Sequence, residues 1–198
     1  MSEIKLVFEE PKQRKKAPEH LSDLAPEERR AKAIALGLPA FRANQIATHY
    51  FTHFSDDPET WTDIPATMRP LVAEHFMPKL ITLVKSVDCD NGKTRKDLWK
   101  LHDGVMVESV IMRYKDRTTV CISSQAGCGM NCPFCATGQA GFTRHLSVGE
   151  IVEQVVYAAR ESAKRKQRLA NMVFMGMGEP LANEEAVWGA VERIHGDI

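Results

Sequence analysis

Apolar positions along the chain change their period twice, and each change marks a change of element. From residue 19 to about 80 they recur at helical spacing. Pro26 suits a first helical position, Glu27 and Glu28 suit the positive end of a helix dipole, and Gly37 with Pro39 marks a stop. A second helix is predicted from near Phe41, where Ile46, Tyr50 and Phe54 repeat every four residues and form one apolar stripe. Such a stripe reads as core rather than as a base-stacking surface. Asp57-Pro58 breaks it, and a short helix from about Ala66 to Phe76 follows Pro65.

From Leu80 the pattern turns to strands. Ile81, Leu83, Val84 and Val87 lead into Asp90-Asn91-Gly92, and Leu98, Trp99 and Leu101 lie on the return. Asn-Gly between extended segments predicts a hairpin, because its central residues need positive φ. Asp103-Gly104 makes a second turn before a third strand, Val105 to Met112, so a small antiparallel meander is expected. After Thr118 the order becomes strand, Gly- and Cys-rich loop, helix, strand, helix. Thr118 to Ile122 is the first strand, and Ser147-Val148-Gly149-Glu150 has the form of a capping box opening the helix. That helix continues through Val152, Val155, Val156 and Ala159 to a basic end at Lys164, Arg165, Lys166 and Arg168. Asn171 to Met175 is expected as a buried strand, and Asn183 as the cap of a last helix. This order predicts parallel strands.

Composition adds exclusions. Lys+Arg and Asp+Glu are both 26, so no global positive field draws nucleic acid and any RNA contact has to be local. Arg29, Arg30, Lys32 and Arg42 are candidates for phosphate contact or for a solvated helix face. Residues 1–18 carry Lys12, Arg14, Lys15 and Lys16 and read as a flexible basic arm, either a solvated tail or an RNA-attracting one. No apolar run approaches the roughly 18 residues of a membrane span, and residues 1–16 lack the apolar stretch of a signal peptide. A cytoplasmic location is expected, where five cysteines are poor material for disulfides.

Three of the five lie within eight residues, Cys128-Gly-Met-Asn-Cys132-Pro-Phe-Cys135. Three thiolates on one loop can wrap one compact cluster. A [4Fe–4S] cluster ordinarily takes four thiolates, so three leave one iron open for the amino and carboxylate groups of S-adenosylmethionine. Gly127 and Gly129 let the backbone bend there, and Phe134 offers an apolar face to shield a cluster or stack on adenine. A Cys₃His zinc site using His145 is the alternative, although zinc ligands usually come in two separated pairs.

The stretch from Cys121 through Cys128, Cys132 and Cys135 to Gly138 strongly resembles the bacterial radical S-adenosylmethionine enzymes that methylate C2 of adenosine in 23S ribosomal RNA and transfer RNA (RlmN type). So do Phe174-Met-Gly-Met-Gly-Glu-Pro180, Phe41-Arg-Ala-Asn-Gln-Ile46 and the strand around Glu108, and the resemblance covers nearly all of residues 20 to 198. It implies that Cys128, Cys132 and Cys135 hold the [4Fe–4S] cluster and that Gly178 and Glu179 bind the amino group of S-adenosylmethionine. It implies Glu108 as proton acceptor and Cys121 as the resolving thiol that releases the product with a disulfide. The implied partners are 23S rRNA, tRNA and an electron donor of flavodoxin type, with no membrane. A sister branch that methylates C8, and a non-catalytic zinc- or RNA-binding module, remain as alternatives. Cys89 lies outside these motifs and reads as an inert thiol.

The expected fold class is thus α/β. A helical RNA-binding-like domain over 19–80 and a β-meander over 81–116 precede the first strand–helix units of a partial radical S-adenosylmethionine (β/α) barrel over 117–198. The family barrel has six such units and this chain about two, so a truncated sequence is expected. The family's methyl-accepting cysteine matches none of the five here. The chain is therefore expected to bind a cluster without completing methylation.

Overall fold

The computed structural model describes residues 16–197. Residues 1–15 of the basic arm lie outside the described residues. The helical part starts with α1 (Pro26–Ala35), where Glu28 accepts a bond from the Ala25 amide at 2.6 Å and Gly37 turns the chain at φ +76°. Next comes α2 (Phe41–Ala47), which widens into a π turn over Thr48–Thr52. Ile46 and Tyr50 are buried as the apolar stripe requires, and so is Phe51, whereas Phe54 lies past the helical run at φ +53° and is only half-buried. α3 (Arg69–Phe76) begins three residues later than expected, because Pro70 fits only a first helical turn.

The strands β1 (Ile81–Cys89), β2 (Thr94–Leu101) and β3 (Met106–Arg113) form the antiparallel meander. Asp90, Asn91 and Gly92 all take positive φ at the first turn, one residue more than Asn-Gly alone requires. β3 pairs with β4 (Thr118–Cys121), which in turn runs parallel to β7 (Leu169–Val173), giving one mixed sheet in the order β1-β2-β3-β4-β7. Between β4 and β7 lie a small hairpin of β5 (Gln125–Gly127) and β6 (Phe142–His145), a one-turn helix α4 (Ala136–Gln139), and α5 (Val148–Lys164). α6 (Glu184–Asp197) packs on α5. The fold is the mixed α/β arrangement that strand–helix–strand order predicted.

One face of the sheet is covered by α5. The alternation in β3 places Val107, Ser109, Ile111 and Arg113 on that face, against Trp99 and Leu101 from β2 and Ile151, Val152, Val155 and Val156 from the helix. Each of these apolar side chains contributes roughly 1.5–3 kcal/mol by burial. Arg95 crosses the same layer and bonds Asp97, Glu161, Ser86 and Tyr157. The opposite face is less covered. By register it carries Lys96, Glu108, Val110, Cys121 and Val173, none of them buried.

One expectation needs correction. The strand over Asn171 to Met175 is not buried: β7 stands at the margin of the sheet, and Ala170 and Asn171 are exposed. Asn183 is buried and directly precedes α6. Its Nδ2 donates to the carbonyls of Ser124 at 2.8 Å and Leu146 at 2.9 Å, tying the start of α6 to the hairpin.

The helical part is fastened to α5. Asp23 accepts the Gly149 amide at 2.6 Å, so a carboxylate sits at the positive end of α5. The Tyr50 hydroxyl donates to Glu153, and Arg160 donates to the Phe54 carbonyl at 2.6 Å. His20 is sealed in this seam. Burial first, then Lys32 and Arg29, lower its pKa to about 3, so the imidazole is neutral and its 3.8 Å approach to Glu153 is no ion pair. Arg29 is likewise withdrawn from any phosphate. It is 2% exposed, bonds Asp197 through both Nη atoms, and lies over the Phe51 ring.

The native state thus declines a proton that the unfolded state accepts below the ordinary histidine pKa of 6.5. Its share of stability is present above that pH and is lost as pH falls toward about 3. Glu153 and Asp23, whose carboxyls burial pushes up, act in the opposite sense. Comparing unfolding free energies of the wild type and His20→Asn isolates the histidine. The wild type should fall more steeply below pH 6, by up to about 1.4 kcal/mol per pH unit; parallel curves would contradict a buried neutral imidazole.

Candidate active site

The sequence-predicted residues gather where β4 and β7 end in the same direction, the place at which parallel sheets bind ligands. Past Cys121 the chain leaves the strand ladder and runs buried through Ser123, Ser124 and Gln125. Their polar groups must find partners there. Gln154 of α5 supplies two: its Oε1 accepts the Ser123 amide at 2.9 Å and its Nε2 donates to the Ser123 carbonyl at 3.0 Å. The Ser123 hydroxyl donates to the Glu108 carbonyl at 2.6 Å and accepts the Met177 amide at 2.8 Å. Ser124 and Gln125 amides both donate to the Met177 carbonyl. Gln125 Oε1 then accepts the Glu179 amide at 2.8 Å. One short segment so joins the Glu108 strand, the Gly176–Glu179 turn and the hairpin of the cysteine loop.

The turn after β7 passes so close that side chains are excluded. A Cβ on Gly176 would stand 2.6 Å from the Ile122 carbonyl oxygen, and one on Gly178, at φ +104°, 2.5 Å from Gln125 Cβ. Glu179 caps the next turn through its Oε1 and the Leu181 amide, 3.1 Å apart. Its side chain borders an open cleft of about 320 Å³, lined also by Gln125, Gly129, Met130, Phe142 and His145. The cleft therefore lies between Glu179 and the start of the cysteine loop.

Cys128 is buried, and Cys132 and Cys135 are half-buried; all three thiols are free. The loop is pinned where it enters and leaves the hairpin, by the Cys128 amide on the Gly141 carbonyl at 3.0 Å. Gly127 makes this possible, since at φ +74° a Cβ would lie 2.0 Å from the Gly141 oxygen. Gln139 Nε2 and the Cys135 amide both donate to the Cys132 carbonyl. Among the described residues no three His, Cys, Asp or Glu side chains converge on a common metal position. His145 Nδ1 accepts from Gln125 Nε2 at 3.1 Å, and the ring makes no such group with the cysteines among the described residues. Phe134 points away from the protein, 90% exposed. The donor chemistry suits an iron–sulfur cluster: three free thiols, one loop, and glycines at its hinges.

Glu108 and Cys121 share the less covered face of the sheet. Cys121 is opposite Val110, two residues from Glu108, which makes the two side chains diagonal neighbours. Burial pushes the Cys121 thiol up, against a smaller pull from the Met175 main chain, and favours the protonated form. Glu108 is partly exposed and pairs with Lys96 Nζ at 2.8 Å. Cys89 is exposed on β1, at the far side of the sheet.

Sequence reading missed the supports Ser123, Gln125, Gln154 and Arg144. Gln154 left a signal, being a polar residue on the apolar face shared by Ile151, Val155 and Ala158. Arg144 joins the hairpin to α5 and to the β2–β3 turn, with Nη1 and Nη2 each 2.7 Å from Glu150 and Nε 2.8 Å from Asp103. Burial alone would lower its pKa, but the bonds to Glu150 and Asp103 outweigh that and raise it. Glu150 also accepts the Ser147 amide at 3.0 Å, which completes the predicted capping box.

Replacing Gly127 by Ala tests the hairpin geometry. The left-handed backbone costs about 1–2 kcal/mol for any L side chain, and the overlap with Gly141 adds to it. We expect a loss of about 2 kcal/mol or more in denaturant unfolding, with faster amide exchange at Cys128. A neutral effect would mean that the loop repacks freely.

No protein-family model matches the chain. Over 196 residues it is 57% identical to a probable dual-specificity RNA methyltransferase RlmN of Nocardioides sp., covering 96% of this chain and 52% of that protein. It is 55% identical over 194 residues to the protein of the same description from Streptomyces coelicolor, with 96% and 53% covered. A crystal structure of a radical SAM methyltransferase from Sphaerobacter thermophilus matches with a TM-score of 0.88 and 42% identity, covering 91% of this chain and 53% of that one. The chain spans about half the length of the curated relatives it matches.

Proposed function

We infer that this chain, homologous along nearly its whole length to RlmN-type RNA methyltransferases, is the cluster- and cofactor-holding part of an enzyme that methylates RNA by radical S-adenosylmethionine chemistry. The observation that carries this reading is the Ser123 segment, which joins the Glu108 strand, the Gly178-Glu179 turn and the cysteine loop around one cleft. Cys128, Cys132 and Cys135 would hold a four-iron cluster. The bound cluster with S-adenosylmethionine supplies reductive cleavage of the cofactor and hydrogen abstraction.

The chain's own residues prepare that site. Gly178 lets the backbone pass against Gln125, and Gln125 holds the Glu179 amide, so the carboxylate faces the cleft at a fixed place. A carboxylate there suits the cationic amino group of the cofactor. Cys121, kept protonated by burial, has to lose its proton before it can act as a resolving nucleophile. Glu108, its diagonal neighbour, is placed to take a proton from the same face, with Lys96 holding the carboxylate in position. The finer assignment is C2 of adenosine in 23S rRNA and tRNA, with a flavodoxin-type electron donor in the cytoplasm. Among the described residues no helix is long and apolar enough to cross a membrane.

Two measurements test this reading. Anaerobic reconstitution with ferrous iron and sulfide should give about four irons per chain and a reduced cluster visible by electron paramagnetic resonance. Cys132→Ala should abolish that signal; zinc uptake with no iron would instead favour the zinc-binding alternative. In the full-length enzyme, mass analysis of digested RNA should yield 2-methyladenosine. Cys121→Ala should lower the product at least tenfold while cofactor cleavage continues. An 8-methyl product would assign the sister reaction, and undiminished product from Cys121→Ala would remove its resolving role.

A further inference from the structure

We propose that the cleft between the β1–β2 turn, the end of β3 and the end of α5 binds a phosphate group with a hydroxyl beside it, as an RNA phosphodiester and its ribose present them. The cleft holds about 750 Å³ and is lined by Asn91, Gly92, Lys93, Arg113, Tyr114, Lys115, Arg165 and Gln167. Four of these are cations and none is an acid. Lys93, Lys115 and Arg165 are exposed, and none of them makes an ion pair with a described residue.

Arg113 is the centre of the site. Strand alternation sends it to the face covered by α5, at the rim where that helix stops. Its side chain is 6% exposed. Nη1 donates to the Gly92 carbonyl at 3.0 Å, and the nearest carboxylate oxygen, of Asp88, is 3.9 Å away. Nη2 is buried and has no hydrogen-bond partner among the described residues. A buried guanidinium donor left unpaired is costly, and an oxyanion is the partner it fits best. Burial first, then the like charge of Arg165, lower the Arg113 pKa, which agrees with a surplus of positive charge here.

Gln167 narrows the ligand. Its Nε2 donates to the Tyr114 carbonyl at 3.2 Å, while its Oε1 is buried and unpartnered. The same cleft thus offers an unmatched donor and an unmatched acceptor. A bare phosphodiester would satisfy only the donor. A phosphate flanked by a 2′-hydroxyl satisfies both, and so does free hydrogen phosphate through its own hydroxyl. The carboxyl end of α5 adds little opposing charge, because the Ser162 and Ala163 carbonyls accept the amides of Arg165, Lys166 and Gln167.

This place is remote from the cysteines. Arg113 is five residues along β3 from Glu108, about 17 Å of strand, and on the other face of the sheet. An RNA bound here is gripped at a second point, away from the reacting base. The site rests on geometry alone, and its assignment to RNA rests on the proposed function.

The test uses the full-length protein and inorganic phosphate, followed by calorimetry and by the ¹⁵N signal of the Arg113 Nε–H. Phosphate should shift that signal, and the folded double variant Lys93→Glu/Arg165→Glu should bind about tenfold more weakly. No shift in the wild type, or equal affinity in the variant, would overturn the proposal. Arg113→Met should abolish binding, and the surface double variant decides the matter if that protein does not fold. A single-stranded RNA and its DNA counterpart then separate the sources. RNA that displaces phosphate better than DNA, with a salt slope reduced by about 1.4 in the double variant, assigns the site to RNA. Phosphate retained against excess RNA assigns it to free hydrogen phosphate. Loss of methylated nucleoside is read separately, so failure of the methyltransferase reading stays distinct.

Discussion

The arrangement depends on Gln154 doing from a helix what a neighbouring strand would otherwise do. Beyond Cys121 the chain turns out of the ladder while still buried, and an unpaired amide or carbonyl there would cost about 1–3 kcal/mol. The Gln154 side chain meets the Ser123 amide and carbonyl together, and it also bonds the carbonyl of Glu150 one turn earlier. With the main chain of Ser123 so occupied, its hydroxyl is left to link β3 to the turn after β7. The cleft next to the cysteines is therefore shaped by polar satisfaction in the core rather than by the loop that lines it.

The sheet separates two tasks. The face against α5 is filled by Trp99, Ile111 and the helix valines and carries the stability. The other face keeps Glu108, Lys96 and Cys121 within reach of one another but outside that packing. Because side chains alternate along a strand, a shift of one residue in β3 would exchange these roles. The predicted turns at Asp90-Asn91-Gly92 and Asp103-Gly104 hold the register at both ends of β2.

Much of this was legible in the chain. The capping box at Ser147, the Asn-Gly turn and the strand–helix–strand order each rest on local chemistry, and each is present in the structure. The β5–β6 hairpin was not legible. Its strands are three and four residues long, too short for alternation to show. The exposure of β7 depends on which strands flank it, and the inward turn of Asn183 depends on two carbonyls far along the chain. The spacing of Cys128, Cys132 and Cys135 named the donors, while their placement follows from Gly127 and Gly141, which meet only after the hairpin closes.

The clasp between Asp23 and Gly149 also has a meaning in time. The two residues are 126 apart in sequence. At roughly 5–20 residues per second of synthesis, the first helices leave the ribosome about 6–25 seconds before the helix they clasp. Through that interval Asp23 holds only its local bond from the His20 amide, the Tyr50 hydroxyl lacks Glu153, and the seam that will enclose His20 stands open to water. The early segment must either wait as a loose helical cluster or be sheltered by another protein, so the order of synthesis makes α5 the point at which the newborn chain commits to its shape.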